Sequence, residues 1–214
     1  MIGNDVVDLR DRDARPETLH PRFDARVFSP AERLALERSE DPDRQRWRLW
    51  SAKEAAYKLA RKLDASSTFS PSRFEVELDR DSRGTVCYRG RRIAVRVLEQ
   101  EGGLHALATP EAADEAELLH ALVRLSPTSS GKLLPGELSR AARLLACERI
   151  ARRLGVAAED LEVRKRGRIP ELWLGDKPLA VDLSLSHHGE LVAFACALES
   201  RSANAVSSFE EASE

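Results

Sequence analysis

The order of apolar and polar positions divides the chain into blocks of helix followed by sheet. Ile2, Val6, Val7 and Leu9 give residues 1–9 the apolar, β-branched character of a short strand. Residues 10–21 are charged and proline-bearing and read as a loop. Ser29-Pro30-Ala31-Glu32 is a helix start, with Ser as N-cap, Pro at the first helical position and Glu at the third. That helix should end near Glu37. Asp41-Pro42-Asp43 opens a longer one through Leu63. From Phe74 the period changes to two. Residues 74–78, 85–88, 93–97 and 104–108 read as strands joined by turns, an antiparallel meander. Residues 111–125 are expected to be helical, and 126–136 (SPTSSGKLLPG) form the best linker in the chain. Leu138 to Leu154 is an amphipathic helix stopped by Gly155. Residues 161–163, 171–174, 181–186 and 191–198 read as strands. Residues 200–214 are small, polar and acidic without periodicity, and are expected to be disordered. The fold class is therefore α+β: two similar lobes, 1–125 and 137–199, each with helices on a small, mostly antiparallel sheet.

Composition narrows the partners. The chain has 214 residues, 42% hydrophobic and 33% charged, with a net charge of -2. Near-neutrality gives no global case for nucleic acid or an anionic membrane, so any partner must be recognised by a local patch. No apolar run reaches membrane-spanning length, and the N-terminus turns acidic at once, unlike a signal peptide. Cys87, Cys147 and Cys196 are far apart and flanked mostly by apolar residues, so they read as small buried hydrophobes in a reducing, cytoplasmic setting.

Chemistry concentrates on the long helix. At about 100° per residue, Leu49, Ala52, Ala56, Ala60 and Leu63 form the core face, while Trp47, Glu54 and Lys58 share a stripe on the other side. Glu54 and Lys58 are helical neighbours. They fit an ordinary surface ion pair, and equally a carboxylate for a hard cation beside an ammonium for a phosphate. Asp5 is out of place in an apolar strand unless it is paired, metal-bound or facing water. Asp8, three residues on, should point to the opposite face of a regular strand. Ser184-Leu185-Ser186-His187-His188-Gly189, at a strand end, can present hydroxyl, imidazole and backbone N–H groups to a phosphate, or be a simple turn. It lacks the spacing of a nucleophile elbow.

Gly3-Asn4-Asp5, Trp50-x-x-Lys53-Glu54-Ala55-x-x-Lys58 and Ser184-Leu185-Ser186-His187 resemble three signature segments of the 4′-phosphopantetheinyl transferase superfamily. Phe28-Ser29-Pro30-Ala31-Glu32-Arg33-Leu34 is similar to the segment that family carries between the first two. The order is that of the short holo-acyl-carrier-protein synthases, which build each site between subunits. The length is that of the two-lobed enzymes. The resemblance implies a monomeric pseudo-dimer with one site at the lobe interface. It further implies transfer of the phosphopantetheine arm of coenzyme A to a serine of an apo carrier protein, with release of adenosine 3′,5′-bisphosphate.

By the same resemblance Asp5 and Glu54 would hold Mg²⁺, and Glu54 or a metal-bound water would take the serine proton. Lys58 would offset phosphate charge. Lys53, Ser186 and His187 would contact coenzyme A, and Arg168 or Lys177, each beside a Gly and a Pro, would meet its 3′-phosphate. Val7 stands where long-type members place a second carboxylate, so either water or Asp8 completes the metal shell. The acceptor presents an acidic helix, for which Arg10, Arg12, Arg44, Arg46 and Arg48 are candidate contacts. Two rivals remain: a non-catalytic homologue that binds coenzyme A or the carrier, and a metal-dependent nuclease, which the helical Lys-Glu order disfavours. Ser130-Gly131-Lys132 lacks the upstream glycine of a Walker site.

Overall fold

The computed structural model describes residues 1–110, 118–126 and 133–198. The first lobe carries strand β1 (Gly3–Asp8), short helix α1 (Phe23–Val27), α2 (Pro30–Glu37) and the long α3 (Pro42–Leu63). The meander β2 (Glu75–Leu78), β3 (Arg83–Tyr88), β4 (Arg91–Gln100) and β5 (Gly103–Pro110) follows. These strands form one antiparallel sheet in the order β1-β5-β4-β3-β2. The second lobe contains β6 (Leu118–Arg124), α4 (Pro135–Leu154), β7 (Leu161–Arg166), β8 (Ile169–Leu174), β9 (Lys177–Pro178), β10 (Val181–His188) and β11 (Leu191–Leu198). Its strands make two small antiparallel sheets, β10-β11-β6 and β7-β8-β9. The α+β, two-lobed architecture expected from the pattern is what the chain adopts.

Two expectations fail at residues 118–124, which the pattern placed in the first lobe and which belong to a second-lobe sheet. Residues 118–124 are a strand, paired antiparallel with β11, where a helix was expected. Leu119, Ala121 and Val123 pack toward the second-lobe cores, so burial on the sheet sets the local conformation. The earlier part of that expected helix, the middle of the expected linker and the expected tail lie outside the described residues. The loop at 10–21 contains short 3-10 turns at Arg12–Ala14 and Pro16–Thr18.

The layers follow from side-chain alternation. Odd positions of β1 face α3: Val7 joins the core with Ala52, Ala55, Ala56 and Leu59. Even positions face the second lobe, where Val6 meets Leu122, Leu191 and Ala193, and Ile2, beside Leu107 of β5, meets Ala195. The opposite face of β11, through Val192, Phe194 and Cys196, packs toward α4. The order is thus helix, sheet, sheet, helix, with the lobes meeting as a pseudo-dimer. Among the described residues no helix is long and apolar enough to cross a membrane.

Gly3 makes the α3–β1 contact possible. A Cβ there would lie 2.1 Å from the Ala55 carbonyl oxygen and 2.8 Å from the Leu59 nitrogen, so only glycine lets the strand backbone approach the helix backbone this closely. The rest of α3 is anchored as the sequence indicated. Asp41 caps its start and Ser29 with Glu32 forms a capping box on α2. Glu32 then does more than cap. Its carboxylate accepts from Lys53 Nζ at 2.7 and 2.8 Å and from the Val76 backbone nitrogen at 2.7 Å. Lys53 also donates to the carbonyls of Pro71 and Phe74. This fully buried pair ties α2, α3 and the start of β2 together. Burial lowers the Lys53 ammonium and Glu32 raises it back in part.

Removing one member of such a pair leaves an uncompensated buried charge. Lys53→Met is expected to lower unfolding free energy by about 3–5 kcal/mol. Arg44→Ala, which breaks exposed pairs with Asp41 and Glu99, should cost under ~1 kcal/mol. Urea denaturation of both variants makes the comparison; equal costs would show that the Lys53–Glu32 pair is not a structural anchor.

Candidate active site at the lobe interface

β1 lies at the end of its sheet, and its even-numbered N–H groups point outward into buried space. β10 supplies their acceptors from side chains at period two. Ile2 N–H donates to Asp182 Oδ2, Asn4 N–H to Ser184 Oγ at 3.0 Å, Val6 N–H to Ser186 Oγ at 2.9 Å, and Asp8 N–H to His188 Nδ1 at 3.0 Å. Each pair is 180 residues apart in sequence, so the two strands run side by side in register. Lys62 closes one end of this seam. It donates to the Ile2 carbonyl at 2.7 Å, Asp182 at 3.0 Å and the Leu183 carbonyl at 2.7 Å.

The seam brings the two distant signature segments together at Asp5. Lys58 Nζ donates to Asp5 Oδ1 at 2.9 Å, and Ser186 Oγ donates to the same oxygen at 3.1 Å. Glu54 lies one helical turn before Lys58. Its carboxyl is pushed up to about 7, first by burial and then by repulsion from Asp5, with Lys58 pulling the other way. The two carboxylates therefore share too little positive charge. A hard divalent cation would relieve that deficit, and the oxygen-only donor set suits Mg²⁺. Among the described residues there is no cluster of three or more His, Cys, Asp or Glu side chains that could cage a metal. A two-carboxylate site whose remaining positions go to substrate phosphates or water is the arrangement Mg²⁺ commonly takes.

Beside Lys58 a cavity of about 350 Å³ opens between the lobes. Tyr57, Lys58 and Arg61 come from α3, Arg143 from α4, Lys165 from β7, Arg168 from the β7–β8 turn and His187 from β10. Burial, with Lys58 and His188 nearby, holds His187 below its usual value. Its neutral imidazole can donate or accept, while the surrounding cations suit a polyanion.

The expected site residues separate on this geometry. Asp5, Glu54, Lys58, His187 and Arg168 converge on the interface. Lys53 does not: its ammonium is buried against Glu32, on the far side of α3 from coenzyme-sized space. Lys177 sits exposed on β9 and does not line the cavity. Ser186 is buried with its hydroxyl used by Val6 and Asp5, because alternation sends it toward β1 and His187 toward the cavity. Asp8 cannot complete a metal shell. It is held at 2.8 and 2.9 Å by Arg124 and by the backbone of Arg10 and Glu190; burial opposes ionisation, but these bonds keep its carboxyl below the usual range.

Trp47, placed on the polar stripe with Glu54, is buried, and its indole N–H donates to the Ala14 carbonyl at 2.8 Å. Three of the suggested docking arginines are neutralised within the chain: Arg46 by Asp24 and Asp43, Arg44 by Asp41 and Glu99, and Arg48 by Glu99. Sequence reading missed Arg61, Lys62 and Arg143. The first two were signalled, as they continue the Lys58 stripe at helical spacing. Arg143, set in an ordinary amphipathic stretch of α4, carried no signal.

The family model for the 4′-phosphopantetheinyl transferase superfamily matches residues 1–112, which include β1 and all of α3. No curated protein matches this chain. Among solved structures, the apo-ACPS of Chronobacterium ammoiniagenes is similar at 21% identity, over 50% of this chain and 93% of that one, with a TM-score of 0.39. The holo-[acyl-carrier-protein] synthase of Neisseria meningitidis matches at 16% identity over 50% and 94%, TM-score 0.39. That of Thermotoga maritima matches at 13% identity over 83% of each chain, TM-score 0.38.

The raised Glu54 carboxyl has a stability consequence. Between pH 4.5 and about 7 the native state holds a proton that the unfolded chain has released, so this group lowers stability as pH rises through that window. In chelator-containing buffer, Glu54→Gln should be more stable than the parent at pH 8 by up to about 3 kcal/mol. The difference should vanish near pH 4, and Mg²⁺ should narrow it at pH 8. Chemical denaturation at both pH values checks this; a gap independent of pH would remove the basis for the shift.

Proposed function

The chain belongs to the 4′-phosphopantetheinyl transferase superfamily, and from that premise we propose that it moves the phosphopantetheine arm of coenzyme A to a serine of an acyl- or peptidyl-carrier protein in a Mg²⁺-dependent reaction. The observation that carries this reading is the meeting, at one lobe interface, of a carboxylate pair with its lysine and a cavity of about 350 Å³ lined by cations.

In this reading Asp5 and Glu54 hold Mg²⁺. When bound, the metal neutralises pyrophosphate oxygens and stabilises the charge that develops on the leaving phosphate. Arg168, Lys165 and Arg143 hold the nucleotide's phosphates, and His187 contributes a hydrogen bond from the same wall. Lys58 lies between carboxylates and cavity, where its ammonium offsets charge on the reacting phosphates. The serine hydroxyl attacks the phosphorus that carries the pantetheine arm. The new serine O–P bond forms as the bridging P–O bond breaks, and adenosine 3′,5′-bisphosphate leaves. Glu54 accepts the serine proton.

Incubation with coenzyme A, Mg²⁺ and apo carriers from fatty-acid, polyketide and peptide synthases should yield carrier whose mass has risen by one phosphopantetheine arm. Glu54→Gln and Asp5→Asn are expected to slow transfer by roughly 10²–10⁴-fold. Arg168→Ala should raise KM for coenzyme A by roughly 10-fold, the loss of one charge-assisted contact, with kcat little changed; Lys177→Ala should leave KM near the parent value. Retained coenzyme A binding with no mass gain on any carrier class would favour the non-catalytic homologue instead.

A further inference from the structure

We propose that Ser186 is a positioning residue for the metal-binding carboxylate of Asp5, not a contact for the coenzyme. The inference rests on the reading of Asp5 as a cation ligand and extends it across the lobe interface. Three observations carry it. Ser186 is 5% exposed and points toward β1, whereas its neighbour His187 faces the cavity. Its oxygen accepts from Val6 N–H, which fixes the hydroxyl in place. Its single proton then goes to Asp5 Oδ1.

Lys58 also donates to Oδ1. Among the described residues both donors fall on this one oxygen, which leaves Asp5 Oδ2 as the oxygen for a cation. A carboxylate on a strand can otherwise swing about its terminal torsion, which is broad and roughly two-fold. Ser186 removes that freedom, and it comes from a strand 181 residues away. The metal site of the first lobe is therefore complete only when the second lobe is docked. Outer partners of ligating carboxylates commonly matter for metal affinity by about 10–100-fold.

Mn²⁺ binding to the full chain without coenzyme or carrier, followed by electron paramagnetic resonance, tests this directly. Mn²⁺ takes the same oxygen ligands as Mg²⁺. Ser186→Ala is expected to weaken Mn²⁺ by about 10-fold or more, while coenzyme A affinity measured without metal stays at the parent value. Ser186→Thr, which keeps the hydroxyl, should restore much of the Mn²⁺ affinity. Ser184→Ala loses the equivalent acceptor for Asn4 N–H but does not touch Asp5, and should bind Mn²⁺ normally. The proposal fails if Ser186→Ala binds Mn²⁺ like the parent, if it loses coenzyme A affinity instead, or if Ser184→Ala weakens Mn²⁺ equally, since the effect would then be one of lobe docking. Absence of transfer to every carrier with this Mn²⁺ pattern intact would count against the transferase reading alone.

Discussion

The open edge of β1 is the constraint on which the molecule depends. A strand at the end of a sheet presents unpaired N–H groups, and burying them without acceptors would cost a few kcal/mol each. Here the edge is buried against the second lobe, and another strand's backbone does not pair with it. Instead Asp182, Ser184, Ser186 and His188 reach across as side-chain acceptors. Because acceptors recur every second residue and donors do the same, only one register satisfies them all. A slip by one residue would turn Leu183 and Leu185 toward the edge and leave every donor unmet. The seam therefore both joins the lobes and fixes which second-lobe residues arrive beside Asp5.

α3 serves this arrangement on more than one side. Its core side meets β1 so closely that Gly3 is required. Lys53 points to α2 and locks the helix to Glu32. Glu54, Lys58 and Lys62 recur at four-residue spacing toward the interface. Moving from Lys58 to Lys62 along the helix tracks back along β1 from Asp5 to Ile2. Adjacent residues Lys53 and Glu54 thus have unrelated tasks, one set by burial and the other by the lobe boundary. The same division appears in Ser186 and His187, where strand alternation replaces helical phase.

Those divisions explain what could be read from the chain beforehand. Asp5, Glu54 and Lys58 were legible because a carboxylate in an apolar strand and a charged pair on a helix face are local signals. Their convergence on the Ser186-His187 segment came from resemblance, since no periodicity predicts contact between residues 181 apart. Lys53 was misplaced because helical phase shows which residues are neighbours but not which layer covers them. Glu32, its partner, was visible as a capping residue and as part of the family-like segment 28–34, neither of which signals a buried ion pair. Trp47 was misplaced for a related reason: the segment carrying Ala14, whose carbonyl accepts its indole N–H, read as an unstructured loop. Ser186 is a different case. The alternation already read for Asp5 and Asp8 applies equally to β10, and would have sent Ser186 and His187 to opposite faces.

The near-neutral net charge conceals a sharp internal separation. Around Asp8, Arg124 and Glu190 the charges are paired within the seam, and Lys62, at the edge of the cavity, is neutralised by Asp182. Such groups hold the lobes and contribute little field. At the lobe interface two features adjoin: a carboxylate pair short of positive charge, and a cavity wall lined by Arg61, Arg143, Lys165 and Arg168. Lys58 sits on the boundary between them. A ligand that complements this pattern must be polyanionic along the cavity and must bring a cation to the carboxylates. In the proposed reading, a magnesium–pyrophosphate group attached to a nucleotide would supply that distribution.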